Sequence, residues 1–160
     1  TERKINGIND GEWYNARQDR THDVAIVANY QLNKKWNLSA YWVYYTGDAV
    51  TFPSGKYVID QQIVFYYTKR NAYCMPAYHR LDLGAAYQWK GAPFFIKWAV
   101  KDERQKKWEN ELTFGLFNAY GRENAYVISF RQNEDDPGKT EAAQTSLFKF
   151  VPSISYNFKF

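Results

Sequence analysis

The sequence predicts an all-β, antiparallel fold made of two-faced strands suited to the wall of a membrane barrel. Three observations carry this: repeated stretches of about ten residues in which apolar and polar side chains alternate, a high aromatic content joined to a polar average, and no long apolar run. Of 160 residues, 19% are aromatic, yet the mean hydropathy is −0.66. Alternation yields both, because only every second side chain has to be apolar. No stretch approaches the ~20 consecutive apolar residues of a transmembrane helix, which excludes a helical membrane protein. Strands of about 10 residues cross a bilayer while keeping mean hydropathy low.

In chain order, Val24, Ile26, Ala28, Tyr30 and Leu32 alternate with Asp23, Ala25, Val27, Asn29 and Gln31, giving one apolar and one mixed face. Asn33, Lys34 and Lys35 make a tight polar turn, after which Trp36, Leu38, Ala40, Trp42 and Tyr44 share a face. This pair predicts a hairpin with aromatic residues at its ends, as an interfacial girdle requires. Residues 47–78, broken by Pro53, Ser54, Gly55 and Pro76, predict a long functional loop, with a hairpin of its own at 57–67. A third strand is expected over 79–90, where Leu81, Leu83, Ala85, Tyr87 and Trp89 oppose Asp82, Gly84, Ala86 and Gln88. Residues 92–100 and the charged KDERQKK run that follows fit either a hairpin extension or a short helix. Residues 111–120 resume as a strand with Leu112, Phe114 and Leu116 on one face, and 118–130 turn at Gly121 into a further strand-like piece. Residues 131–145, with NEDDPG at 133–138, predict a polar loop. The last ten residues, VPSISYNFKF, place Ile154, Tyr156, Phe158 and Phe160 on one face against Ser155, Asn157 and Lys159.

The connections are unequal. With Phe160 on the periplasmic side, strand counting puts 47–78 and 121–146 outside and 33–35 inside, the long-outside, short-inside arrangement of outer-membrane barrels. Residues 91–107 depart from it, being long on the short-turn side. Lumen-facing Asn29, Gln31, Asn37 and Ser39 are expected to line the wall.

Other chemistries find little footing. Cys74 is the one cysteine, so an intrachain disulfide or a thiol-based metal site is excluded. The formal charge of +4 is spread over small groups such as Lys34, Lys35, Lys69, Arg70, Lys106 and Lys107, so no nucleic-acid partner is expected. No catalytic constellation, cofactor motif or metal box is present, and an enzyme is not expected. Glu134, Asp135 and Asp136, tipped by Pro137 and Gly138, suit a solvated turn better than a cation site. Tyr66, Tyr67 and Tyr73, with His79 and Arg80 at a strand entrance, are the candidate ligand contacts, suited to stacking on a ring or sugar and to bonding an anionic group. The chain begins at Thr1 without a basic, apolar leader, which an exported protein carries at synthesis.

Four ordered blocks carry a resemblance: WNLSAYWVYYTGDAVTFPSGKY (36–57), RNAYCMPAYHRLDLGAAY (70–87), FNAYGRENAYVISF (117–130) and FVPSISYNFKF (150–160). From about His22 to Phe160 the chain resembles the carboxy-terminal barrel of TonB-dependent outer-membrane receptors, most closely the subtype with an amino-terminal carboxypeptidase-regulatory-like domain. It departs at 91–107 and at Cys74. The resemblance implies the last five strands or so of a 22-stranded antiparallel barrel, with residues 1–21 belonging to the preceding extracellular loop. It implies active uptake of a nutrient such as a metal chelate, glycan or peptide across the bacterial outer membrane. The implied partners are the remaining strands and plug domain, on the same or a separate chain, the TonB energy-coupling complex, outer-membrane lipid and a surface lipoprotein. Ile154, Tyr156, Phe158 and Phe160 would form the strand read by the assembly machinery. Five strands leave two open edges, so further strands are expected.

Two other readings stay open. A self-contained eight-stranded barrel, lipid-modifying or adhesive, requires 57–67, 92–100 and 124–130 to span the membrane. A soluble β-barrel or β-sandwich binding module would bury the same apolar faces inward.

Overall fold

The computed structural model describes residues 1–60, 62–93, 97–99, 108–133 and 139–159. The fold is all-β and antiparallel, and among the described residues no sheet closes into a barrel. Short strands β1 (Glu2–Arg3) and β2 (Tyr14–Asn15) pair with each other. The long strands are β3 (Asp23–Gln31) and β4 (Trp36–Tyr45), then, beyond four shorter ones, β9 (Tyr78–Lys90), β10 (Glu109–Phe117) and β13 (Val151–Lys159). These five form one sheet in the order β13-β10-β9-β4-β3. The five strands are those expected from alternation, with bounds shifted by up to three residues.

The β3–β4 turn is set by Asn33, whose Oδ1 accepts from the amides of Lys35 and Trp36 at 2.8 and 3.0 Å. An Asx side chain closing its own turn is why this connection is so short. At the same end Gly91, at φ 118°, donates its amide to the Trp108 carbonyl where β9 leaves for β10. The expectation of a hairpin extension or short helix over 92–107 lies largely outside the described residues.

Residues 47–78 contain the predicted hairpin as β6 (Gly55–Ile59) and β7 (Gln62–Tyr66), with β5 (Ala49–Val50) paired to β8 (Tyr73–Cys74). The polar loop expected over 131–145 is corrected: β11 (Val127–Gln132) pairs in register with β12 (Thr140–Thr145), while 134–138 lie outside the described residues. Residues 118–120 are a turn, next to the one expected at Gly121, and the strand-like piece expected after it starts only at Val127.

The chain divides into two compact units. Residues 25–43, 79–123 and 146–160 hold most of the five-stranded sheet; residues 1–24, 44–78 and 124–145 hold the short hairpins. Within the second of these, the Asn9 side chain bonds both ways with the Arg70 backbone, and Asn71 Nδ2 donates to the Asn15 carbonyl. The amino-terminal stretch is thereby tied to the residues around Arg70.

Candidate functional site

The five-stranded sheet is the candidate site, and its register fixes what each face presents. Phe114 sits opposite Ala85 on one side and Ile154 on the other, and Gly115 opposite Gly84 and Ser153. The bonds Gln88 N to Lys35 O and Leu32 N to Trp36 O extend the same counting to β4 and β3. One row perpendicular to the strands therefore reads Tyr30, Leu38, Ala85, Phe114, Ile154, and the next, on the opposite face, reads Asn29, Ser39, Gly84, Gly115, Ser153.

The first face is apolar and uncovered. Ile26 is 55% exposed, Tyr30 63% and Ile154 67%, although a water-soluble sheet of this size would bury that face under a second layer. A shallow apolar hollow lined by Ala28, Leu38, Ala40, Leu83, Phe114 and Leu116 lies on it. Near the turn end the face becomes aromatic. Trp36 meets Tyr87 with ring centroids 4.9 Å apart, Tyr87 meets Trp89 at 5.5 Å, Trp89 meets Tyr156 at 5.8 Å, and Phe158 lies 5.7 Å from Trp108. This is a continuous belt over β4, β9, β10 and β13. It is pinned by Asn110, only 3% exposed, whose Oδ1 accepts from the Tyr156 hydroxyl at 2.6 Å and whose Nδ2 donates to the Gly91 carbonyl at 2.5 Å.

The apolar band runs obliquely to the strands. Tyr30 stands seven residues from the start of β3, whereas Ile154, in the same perpendicular row, stands three from the start of β13. The strands thus slip by about four residues over four steps, ~13 Å along the strands for ~19 Å of width. That corresponds to a tilt of ~35°, within the range that closed barrels require.

The second face is polar and small. A Cβ on Gly84 would collide with Ser39 Oγ, and one on Gly115 with Ser153 Oγ, so the glycines let hydroxyls lie flat against the wall. Toward the turn end Gln88 Nε2 donates to Glu111 at 2.7 Å, and Lys90 pairs with Glu109 at 3.7 Å. Exposed pairs of this kind add little stability. They make the face hydrophilic.

At the other end, Asn118 is 1% exposed and adopts φ 54°. Its amide donates to Asp82 at 2.9 Å, and its Nδ2 donates to the carbonyls of Arg122 at 2.9 Å, Phe148 at 3.3 Å and Lys149. Asn118 thus holds the turn after β10 against the approach to β13. Its weight is not legible in the sequence, because all its partners but Arg122 stand 30 or more residues away.

The expected ligand contacts are distributed as follows. Tyr66 and Tyr67 are exposed on and just after β7. Tyr73 stacks on Phe52 at 5.3 Å, and Phe52 meets Phe130 edge-on at 4.9 Å. These residues belong to the unit of short hairpins, whereas His79 and Arg80 belong to the sheet unit. Arg80 is already engaged, bonding Asp82 at 2.9 Å and lying 4.1 Å over the Phe117 ring; His79 Nδ1 is 2.7 Å from the Tyr120 hydroxyl. Arg20, missed in the sequence, bonds Asp48 at 2.8 Å and covers the Tyr45 ring at 4.0 Å; the Asp48 bond holds its guanidinium more firmly protonated than usual. Ile154, Tyr156 and Phe158 share the apolar side of β13, and Phe160 lies outside the described residues. Among the described residues no cluster of His, Cys, Asp or Glu could hold a metal ion.

No family model matches the chain, and neither does any curated protein or solved structure.

Proposed function

We propose that this chain is a wall segment, with its outer loops, of a bacterial outer-membrane barrel serving as a TonB-dependent uptake receptor. The observation that carries the membrane reading is the uncovered apolar band, oblique to its strands and bounded at one end by the aromatic belt. Hydrocarbon covers such a face without a second protein layer, and Trp and Tyr rings favour the interface beside it. The polar face then lines the lumen, where small residues and paired charges keep a wet surface.

The receptor part rests on the four ordered sequence blocks. Loop length agrees with it at three of the four connections: the chain leaves and rejoins the sheet at one end through 46–77 and 118–150 and turns tightly at the other through Leu32–Lys35, whereas 91–108 is long on the tight-turn side. In this reading the cargo is a nutrient such as a metal chelate, glycan or peptide, and Tyr66, Tyr67 and Tyr73 are contacts for a ring or sugar. The working partners are further barrel strands, a plug, the TonB complex and a surface lipoprotein.

The eight-stranded alternative gains nothing from the sheets. The hairpins β6–β7 and β11–β12 have strands of five and six residues, short of the ~10 residues a spanning strand needs, and among the described residues each pairs only within itself.

The test is density-gradient fractionation of cells producing the tagged natural protein, with peptide mapping of what copurifies after detergent extraction. Outer-membrane recovery with barrel and plug peptides is expected. Recovery in the soluble fraction would refute the membrane reading, and a lone chain folded in detergent would refute the receptor reading.

A further inference from the structure

Resting on the membrane reading above, we infer that the turn end of the sheet is a docking surface for the headgroups of anionic phospholipids. On three strands the sequence sets a lysine directly beside a ring of the belt: Lys35 precedes Trp36, Lys90 follows Trp89 and Lys159 follows Phe158. In each pair the lysine is the outer member. Lys35 stands just before β4 begins, and Lys90 and Lys159 are the last residues of β9 and β13.

Rings of this kind settle at the boundary between hydrocarbon and headgroups. A lysine one residue beyond, ~3.3 Å further along the strand, stands at headgroup depth. Alternation turns Lys35, Lys90 and Lys159 toward the polar side of the sheet. Each nevertheless stands where the wall stops, on a flexible four-carbon stem that can carry the ammonium over the rim. Lys34 lies in the turn itself, and all four lysines are exposed.

This end carries a surplus of positive charge. Lys34, Lys35, Lys90 and Lys159 line one hollow together with Glu109 and Glu111. Lys90 pairs with Glu109, and Glu111 accepts from Gln88, which leaves Lys34, Lys35 and Lys159 without a carboxylate partner among the described residues. At the opposite end of the same unit the charges are matched, Arg80 with Asp82 and Lys149 with Glu123. An anionic headgroup answers the surplus with its phosphate. A zwitterionic one brings an ammonium that opposes the lysines. Each lysine beside an anionic membrane surface favours it by about fivefold.

The experiment reads tryptophan fluorescence of the natural protein in phosphatidylcholine vesicles containing a fixed share of acyl-brominated phosphatidylglycerol or, separately, of acyl-brominated phosphatidylcholine. Bromine quenches the rings it meets, and Trp36 and Trp89 are the immediate neighbours of Lys35 and Lys90. Stronger quenching by the phosphatidylglycerol is expected, with a relative association constant of about five or more. Joint Lys34→Gln, Lys35→Gln and Lys159→Gln should abolish that preference and leave quenching by the phosphatidylcholine unchanged. Arginine at the same three positions should preserve it, because the charge is kept. Equal quenching by the two lipids in the unchanged protein, or a preference that survives the glutamine substitutions, would overturn the inference while leaving membrane insertion intact. Quenching by neither lipid would instead sink the membrane reading.

Discussion

Asn118 shows how one side chain can organise a strand end. It is buried, it tolerates a left-handed backbone that most residues resist, and its amide group serves carbonyls from two separate stretches. Asn118→Ala strands those carbonyls and loses the backbone conformation's best non-glycine occupant. A loss of ~2–3 kcal/mol is expected, at the upper end for buried polar groups left unpaired. It should appear as a lower temperature for the unfolding transition in detergent. Asn118→Gly should recover part of the loss by relieving φ while leaving the carbonyls unpaired; full recovery would contradict the hydrogen-bonding role. Gly47 gives a second residue-scale case. A Cβ there would run into the Met75 carbonyl, which is backbone and has no flexible end to move aside. Gly47→Ala should therefore loosen the β5–β8 pairing, measured as faster amide exchange at Val50 and Tyr73, with the sheet amides unchanged.

The strands differ in how readable they were, and the reason is chemical. Those of the five-stranded sheet contrast two environments, so alternation in Val24–Tyr30 or Ile154–Phe158 announces both strand and face. Thr140–Thr145 (TEAAQT) has no such contrast: its hairpin partner supplies the hydrogen bonds and nothing demands an apolar side. It therefore looked like a loop. The belt was legible as clustered aromatics, but Asn110 was not, because a polar residue between Trp89 and Phe158 breaks the very pattern that marks the face. The ligand candidates rest on residue type and on place in a loop or strand entrance, neither of which reveals Arg80's engagement with Asp82 and Phe117. Face assignment makes its own prediction. Ile154→Arg, at mid-band, should cost ~2–4 kcal/mol in folding into lipid. Asn157→Lys, on the polar wall, should cost little. Equal effects in vesicle-folding titrations would mean that the two faces meet the same solvent.

At the scale of the whole molecule, the sheet has both faces defined and, among the described residues, both edges open, a combination that suits incorporation into a larger wall. The slip of its strands, its aromatic belt and three of its four connections agree with a barrel wall. None of these features depends on the others, since slip comes from register, the belt from composition and the connections from chain length. The belt and the connections are partly legible in the sequence, but the slip is not, because strand ends can be compared across a sheet only once partners are known.

The central claim is that the face bearing Tyr30, Leu38, Ala85, Phe114 and Ile154 meets hydrocarbon. Its most direct test is site-directed spin labelling of the protein in phospholipid bilayers on a Cys74→Ser background, with a nitroxide placed in turn along β10 from Leu112 to Leu116. Collision with oxygen, which concentrates in hydrocarbon, and with a water-soluble nickel chelate should alternate with a period of two, oxygen favoured at Leu112, Phe114 and Leu116 and nickel at Thr113 and Gly115. Nickel accessibility at Phe114 equal to that at Thr113 would contradict the account.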